Sequence, residues 1–241
     1  MPIMNLKYKE VAEKTRDLSR KLKNQASLRE INKIKNIGKR IQMCVSATLI
    51  LDILEAFEEL CSLFDKDLKK TKVSKSLLIR YIFESYITFL YIFNVPKGQT
   101  QIRTKAFYYY GDYKRTKIQE KKEEKYEKEW NKYLPKKEGG TQWHGKSFQK
   151  IAKEVKYSPV VYQVLSQFTH PGIFTLERIE DTEMFRGIFE DTMILTSASV
   201  CDVIDIAKRR RLYGLKLNSK KDEEIDSLVN FHKKIIDGLK K

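Results

Sequence analysis

Apolar residues recur every three or four positions along almost the whole chain, which is the spacing of one face of an α-helix. Only five prolines and ten glycines interrupt 241 residues, so few positions favour a break. The pattern predicts helices over residues 6–23, 28–63, 74–93, 101–134, 147–155, 160–169, 183–211 and 222–239. The expected fold is therefore all-α, a helical bundle of about seven to nine helices.

Several sequence signals mark where these helices begin and end. Ser74 and Ser147 are candidate N-caps, because a serine hydroxyl can accept a hydrogen bond from the first helical turn. Residues 94–98, with one proline and one glycine, are a strong stop signal. Residues 119–125, rich in Lys and Glu, predict that the fourth helix protrudes into solvent. We interpret the chain as one domain, with N-terminal helices at 1–70, a core with the polar motifs at 71–213 and a C-terminal helix at 214–241.

Arg80 and Glu84 stand one helical turn apart inside the otherwise almost wholly apolar stretch 77–93. Removing two such charges from water costs several kcal/mol per ion unless they are paired and hydrogen-bonded. We therefore expect both side chains to be buried and in contact with each other or with other polar residues. Two interpretations remain open: a functional site, or an ion pair that fixes the register of the helix.

The net charge of the chain is +16, with 48 Lys and Arg against 32 Asp and Glu. Such a charge favours polyanionic partners, nucleic acid above all, although Lys-rich composition occurs without any such role. The basic run Lys208, Arg209, Arg210 and Arg211 is a candidate nucleic-acid-binding segment. The same run also suits the negative end of a helix dipole.

The three cysteines, Cys44, Cys61 and Cys201, lie in apolar surroundings without CxxC spacing, which is typical of free thiols in a reducing cytoplasm. The first residues show no apolar signal segment, so secretion is not expected. The stretch 77–93 approaches the length of a membrane span, but its charged residues favour a buried core helix instead. The sequence therefore predicts a cytoplasmic protein without a membrane segment.

Only three histidines occur, and they have different surroundings. His170 follows Tyr162 and Ser166 at steps of four, so the three are expected on one helical face. His144 lies in the turn Trp143–Ser147, beside Lys146. His232 is interpreted as a surface residue. Gly-rich phosphate loops, HExxH and paired Cys/His metal spacings are absent, so no metal or cofactor is expected.

Four segments carry a resemblance to a known family. They are residues 78–85, 109–113, 143–147 and 162–170, and in this order and spacing they resemble the bacterial helical DUF5677 family, which is similar in turn to HEPN-like proteins. The resemblance implies a helical bundle, often dimeric. It also implies a ribonuclease effector of a toxin–antitoxin or antiphage defence system, with RNA and a protein of the defence complex as partners.

The HEPN nucleases typically cut RNA with an arginine closely followed by a histidine, and this chain departs from that motif. None of its histidines has an arginine five to seven residues before it. Metal-independent RNA cleavage needs a base, an acid and a cation at the phosphate, and His144, His170 and Arg80 are the candidates for these roles. Glu84 would pair with Arg80 or orient a histidine, and Asp112, Tyr162, Ser166 and Lys146 would support them.

We therefore expect Arg80, Glu84, His144 and His170 to converge on one pocket. Burying polar groups costs less free energy when they form one hydrogen-bonded network than when each is buried separately. The competing interpretations are an enzyme that acts on a nucleotide or another phosphate-bearing small molecule, and a non-enzymatic binding or regulatory module. There the polar cluster only specifies packing, and the basic segments contact nucleic acid or a partner protein.

Overall fold

The fold is described from a computed structural model, which covers residues 8–25, 31–63, 68–118, 146–156 and 182–212 and the single positions Lys66, Lys128, Lys132, His144 and Asn230. Six α-helices account for nearly all of these residues: α1 (Tyr8–Gln25), α2 (Ile37–Ser62), α3 (Leu68–Phe93), α4 (Lys97–Ile118), α5 (Phe148–Glu154) and α6 (Thr182–Arg209). The described part of the chain contains no strand. The prediction of an all-helical fold is confirmed.

The starts of α2 and α3 differ from the prediction. Asn36 caps α2, and its side-chain oxygen accepts a hydrogen bond from the Lys39 N–H at 2.9 Å. Residues 33–36 are not helical, so the predicted second helix is interrupted there. Ser74 does not cap α3, since that helix already begins at Leu68.

Other helix ends agree with the sequence signals. The α3 helix ends at Phe93, just before the stop signal that contains Pro96. The next helix starts at once, four residues earlier than predicted, with the Thr100 N–H donating to the Pro96 carbonyl at 3.0 Å. Ser147 caps α5 as predicted, by accepting a hydrogen bond from the Lys150 N–H.

The α3 helix is the centre of the bundle and packs against α2, α4, α5 and α6. The α1 helix packs against α2 and α6. Among the described residues, most buried apolar side chains form one core cluster, and on α3 its largest members are fully buried: Ile82, Phe83, Phe89, Tyr91 and Phe93. Burial of such aromatic and aliphatic side chains contributes roughly 1.5–3 kcal/mol each, so packing around α3 dominates the stability of the bundle.

Several polar groups inside the bundle are hydrogen-bonded locally or across helices. The Thr196 and Ser197 hydroxyls on α6 donate to carbonyls four residues earlier. Between helices, the Tyr86 hydroxyl on α3 donates to Asp202 on α6 at 2.8 Å.

Cys61 and Cys201 are buried free thiols, and burial raises the pKa of each to about 12. Both therefore stay protonated and poorly nucleophilic at neutral pH.

One stretch of described residues, Val73–Phe93, is long and apolar enough to cross a membrane. Most of it is packed inside the bundle, as is usual for a core helix.

Some predictions concern residues outside the described part of the chain. These are the protruding charged segment 119–125, the helix at 160–169 and nearly all of the helix at 222–239. The total number of helices therefore stays a prediction.

Candidate functional site

One longitudinal face of α3 carries a row of polar side chains. Arg80, Glu84, Thr88 and Tyr91 follow each other at steps of four, four and three residues, which places them on a single stripe of the helix. The apolar residues between them point to the core on the other sides. This stripe is where the polar motifs of the sequence come together.

The N-terminal part of the stripe opens into a cavity of about 380 Å³. Four helices line it: α2 through Leu49 and Asp52, α3 through Arg80, Tyr81, Glu84, Ser85 and Thr88, α4 through Phe107 and α5 through Phe148. The volume falls within the range of small-molecule sites, and the cavity is open to solvent with a mixed polar and apolar lining.

Arg80 and Glu84 form an ion pair at the wall of this cavity. The Arg80 Nε donates to Glu84 Oε1 at 2.8 Å, so the predicted contact is confirmed. The prediction that both side chains are buried holds only in part, because they remain 21% and 36% exposed. The reason is that this face of α3 borders an open cavity instead of another helix, and water therefore still solvates both charges.

Asp52 and Tyr81 form a second polar pair in the cavity, between α2 and α3. The Tyr81 side chain is hydrogen-bonded to Asp52 and to Ser85. Burial raises the pKa of the Asp52 carboxyl and the charge of Glu55 adds to this rise, while the hydrogen bond from Tyr81 opposes it. Burial and the neighbouring Asp52 also raise the pKa of Tyr81.

His144 lies beside Tyr91, one turn beyond the cavity along the same face of α3. It is only 2% exposed, and its Nδ1 accepts a hydrogen bond from the backbone N–H of Lys146 at 3.2 Å. The imidazole packs edge-on to the Tyr91 ring, with centroids 6.3 Å apart. Burial lowers the pKa of His144 to about 4. The ring is therefore neutral at pH 7, with Nδ1 engaged.

Two cations and a carboxylate surround the same tyrosine. Arg103 on α4 stacks on the Tyr91 ring at 3.8 Å and donates to the Tyr91 carbonyl at 2.6 Å. Glu154 on α5 lies 3.8 Å from Arg103 and also accepts a hydrogen bond from Lys146. These contacts tie α3, α4 and α5 together at one end of the cavity. We call Tyr91, Arg103, His144, Lys146 and Glu154 the Tyr91 cluster.

The predicted convergence of Arg80, Glu84, His144 and His170 on one pocket stays a prediction, and only three of these residues are described. Arg80 and Glu84 share the cavity, whereas His144 belongs to the adjoining Tyr91 cluster and does not line the cavity. Among the supporting residues, Lys146 lies in that cluster and Asp112 is half-buried on α4. His170, Tyr162 and Ser166 lie outside the described residues, so their predicted roles stay predictions.

The basic run at the end of α6 has a clear local role. Arg211 adopts a left-handed backbone (φ 51°), and the Leu212 N–H donates to the Ala207 carbonyl at 2.8 Å, which together form a Schellman stop. Arg209 pairs with Asp205 at 2.9 Å. Lys208 is half-buried, and Arg209, Arg210 and Arg211 are exposed. Phosphate contact by these residues stays a prediction.

Sequence reasoning missed Asp52, Arg103 and Glu154. Asp52 is the one acidic residue in the apolar stretch 45–54, and that isolation was an available signal. Nothing local marks Arg103 or Glu154, because only tertiary packing brings them to Tyr91. Among the described residues, no group of three or more His, Cys, Asp or Glu side chains is arranged to hold a metal ion.

Neither a comparison with curated proteins nor one with solved structures gives a match. The model of a family of unknown function, DUF5677, matches residues 43–188, which is more than half of the chain. This span contains the complete cavity and the Tyr91 cluster. The protein therefore belongs to the DUF5677 family.

Proposed function

We propose that this protein cleaves RNA without a metal ion, as an effector of a bacterial toxin–antitoxin or antiphage defence system. The observation that carries the proposal is the Arg80–Glu84 pair at the wall of a cavity with aromatic and hydroxyl-bearing sides. A cation, a carboxylate and hydroxyls in one partly desolvated cavity are the groups that a phosphodiester transfer requires.

The chemistry assigns one task to each member of the pair. The Glu84 carboxylate takes the proton of a ribose 2′-hydroxyl, and the 2′-oxygen attacks the adjacent phosphorus. The Arg80 guanidinium turns from Glu84 to the non-bridging phosphate oxygens, where its planar donors match the geometry of phosphate. The P–O5′ bond breaks, and a second group supplies a proton to the leaving oxygen. The products are a 2′,3′-cyclic phosphate and a 5′-hydroxyl.

The other walls of the cavity suit a nucleotide. Phe107 and Phe148 provide ring faces and edges for a base, and stacking on aromatic side chains is a common way to hold unpaired bases. The net charge of +16 attracts the RNA backbone. We include a dimeric assembly and silencing by a partner protein in the proposal, as the family resemblance implies.

The role of His144 changes in this proposal. A neutral, almost fully buried ring whose Nδ1 accepts a backbone N–H is poorly suited to exchange protons with a substrate. Its contacts instead fix the turn that presents Lys146 and, through α5, Phe148. We therefore assign His144 to positioning, and we keep His170 as a candidate for proton transfer.

The test is cleavage of a labelled single-stranded RNA in the presence of EDTA, with Glu84→Gln as the main variant. Loss of a general base lowers rates by about 10²–10⁴-fold, so we expect a loss of this size. Glu58→Gln is the matched control, because Glu58 is also half-buried and accepts from an arginine Nε, that of Arg20, at 2.7 Å. That variant should cleave at the wild-type rate.

The second candidate is a non-enzymatic binding module, and one observation favours it. The Arg80 guanidinium is already engaged by Glu84 at helical spacing, which by itself stabilises a helix by about 0.2–0.5 kcal/mol. The test is whether the wild-type protein binds the labelled RNA and leaves it intact. Light scattering identifies the assembly state in each measurement. If no assembly state cleaves the RNA, the protein is a binding module and not a ribonuclease.

A further inference from the structure

The cavity contains two carboxyl groups with different neighbours. Glu84 accepts a hydrogen bond from the Arg80 guanidinium, whereas Asp52 accepts one from the neutral hydroxyl of Tyr81. A cation next to a carboxyl favours the ionised form, and desolvation favours the protonated form. Two carboxyls in one site with contrasting environments are the usual basis for separate base and acid roles.

We propose that Asp52 is the general acid of the RNA cleavage and that Tyr81 orients it. This inference rests on the proposed function and completes its reaction. The proton held by the Asp52 carboxyl passes to the 5′-oxygen as the P–O5′ bond breaks, while Glu84 removes the proton from the 2′-oxygen. The protein then returns to its starting state by exchanging one proton from Glu84 to water and one from water to Asp52.

The geometry around Asp52 suits this role. Asp52 reaches the cavity from α2, and Tyr81, Glu84 and Ser85 reach it from α3, so the attacking and leaving oxygens of one phosphate can be approached from two helices. The Tyr81 hydroxyl interacts with both Asp52 and Ser85, so it is the group in the cavity wall that can orient the Asp52 carboxyl. On the remaining sides the cavity wall is formed by Phe107 and Phe148.

Several charged and titratable groups face Asp52 and set when it carries a proton. Burial raises the pKa of Asp52, the Tyr81 hydrogen bond lowers it, and the charge of Glu55 on the same helix raises it further. Arg80 and Glu84 on α3 share the cavity and compensate each other in charge. Because burial is the largest of these influences, Asp52 holds its proton to higher pH than an exposed aspartate.

The decisive experiment compares two substrates, an ordinary RNA linkage and one with sulfur in place of the 5′-oxygen. A thiolate leaves without protonation, so the sulfur substrate does not need a general acid. Asp52→Asn should cleave the ordinary linkage about 10²–10⁴-fold more slowly and the sulfur linkage at close to the wild-type rate. Glu84→Gln should be slow on both, since the base is needed for either.

Other outcomes overturn the inference in distinguishable ways. Equal loss on both substrates, or no loss on either, removes Asp52 from the acid role and leaves the proposed function intact. If His170→Ala, rather than Asp52→Asn, is rescued by sulfur, His170 is the acid. If the wild-type protein cleaves neither linkage, the proposed function itself fails.

A second variant covers the case in which Asp52→Asn does not fold. Tyr81→Phe keeps the ring and removes the hydrogen bond that lowers the pKa of Asp52. The basic limb of the pH–rate profile on the ordinary linkage should therefore move to higher pH, and the profile on the sulfur linkage should lack that limb. An unmoved basic limb in a folded Tyr81→Phe protein would contradict the proposal.

Discussion

Two opposite faces of α3 both carry polar groups, and the two faces use them differently. On one face, Tyr86 is buried and donates to Asp202 of α6, among fully buried neighbours such as Phe89. On the other face, Arg80 and Glu84 pair with each other while remaining partly exposed to a cavity. The first arrangement cross-links two helices, whereas the second leaves its charges accessible to a ligand.

This difference shows that an ion pair in an apolar helix does not have to be a deeply buried one. The cost of desolvating Arg80 and Glu84 is reduced by their exposure, and the energy of an exposed helical pair is small. We therefore expect the ion pair itself to contribute little to the free energy of unfolding. A polar pair that contributes little to stability and borders a cavity is the kind of feature that function, not packing, explains.

Replacing Arg80 by Gln should give the largest effect on the cavity face. We expect RNA cleavage to fall by about 10²–10⁴-fold, because a cation at the phosphate is lost. The melting temperature should change little, since Glu84 is 36% exposed and stays solvated when its partner is removed. Thermal denaturation followed by circular dichroism measures the second quantity. If the Arg80→Gln protein is unfolded, the ion pair is needed for the stability of the bundle. The two faces of α3 would then not differ in their contribution to stability.

The sequence predicts the Arg80–Glu84 contact because helical spacing alone brings the two side chains together. It also predicts the end of α3 at Phe93 and the cap at Ser147, since proline and serine act on their immediate neighbours. These are short-range effects, so the local sequence is enough to predict them.

The remaining features depend on packing between helices. Asp52 meets Tyr81 because α2 packs along α3 in one register. The burial of His144 beside Tyr91 likewise depends on the position of α5. The lowered pKa of His144 therefore cannot be predicted from the sequence of residues 143–147.

Replacing Phe89 by Ala tests the packed face. Phe89 is fully buried and lies 4.9 Å from Phe93, centroid to centroid, and truncation of such a ring costs about 3–5 kcal/mol. Thr88→Ala is the control, because Thr88 precedes Phe89 but lines the cavity. Urea denaturation should show a large loss for the first variant and less than about 1 kcal/mol for the second. Similar losses for both would mean that the cavity face is as tightly packed as the core.

The Tyr91 cluster predicts a pH dependence of stability. The pKa of His144 is about 4 in the folded protein and near 6.5 when unfolded, so the unfolded chain binds a proton first as the pH falls. Stability is therefore fully present above about pH 6.5 and is lost between pH 6.5 and 4, by up to about 3 kcal/mol at 1.4 kcal/mol per unit.

His144→Asn isolates this effect, because the Asn oxygen can replace Nδ1 as acceptor for the Lys146 N–H. Its urea denaturation should depend less on pH over the same interval than that of the wild type. An unchanged pH dependence would mean that other groups, not His144, take up the protons on unfolding.

The smallest effect is expected from Tyr86→Phe, and it sharpens the comparison most directly. Removing the hydroxyl takes one hydrogen bond from Asp202 and should cost about 1 kcal/mol, measured by urea denaturation, with RNA cleavage unchanged. Tyr81→Phe on the cavity face should do the reverse, with little change in stability and an altered pH–rate profile, because Tyr81 is 44% exposed and bonded to Asp52. If both tyrosines affect stability alone, the cavity face is a packing surface like the other. If Tyr86→Phe alone lowers cleavage, the site extends through α3 to α6.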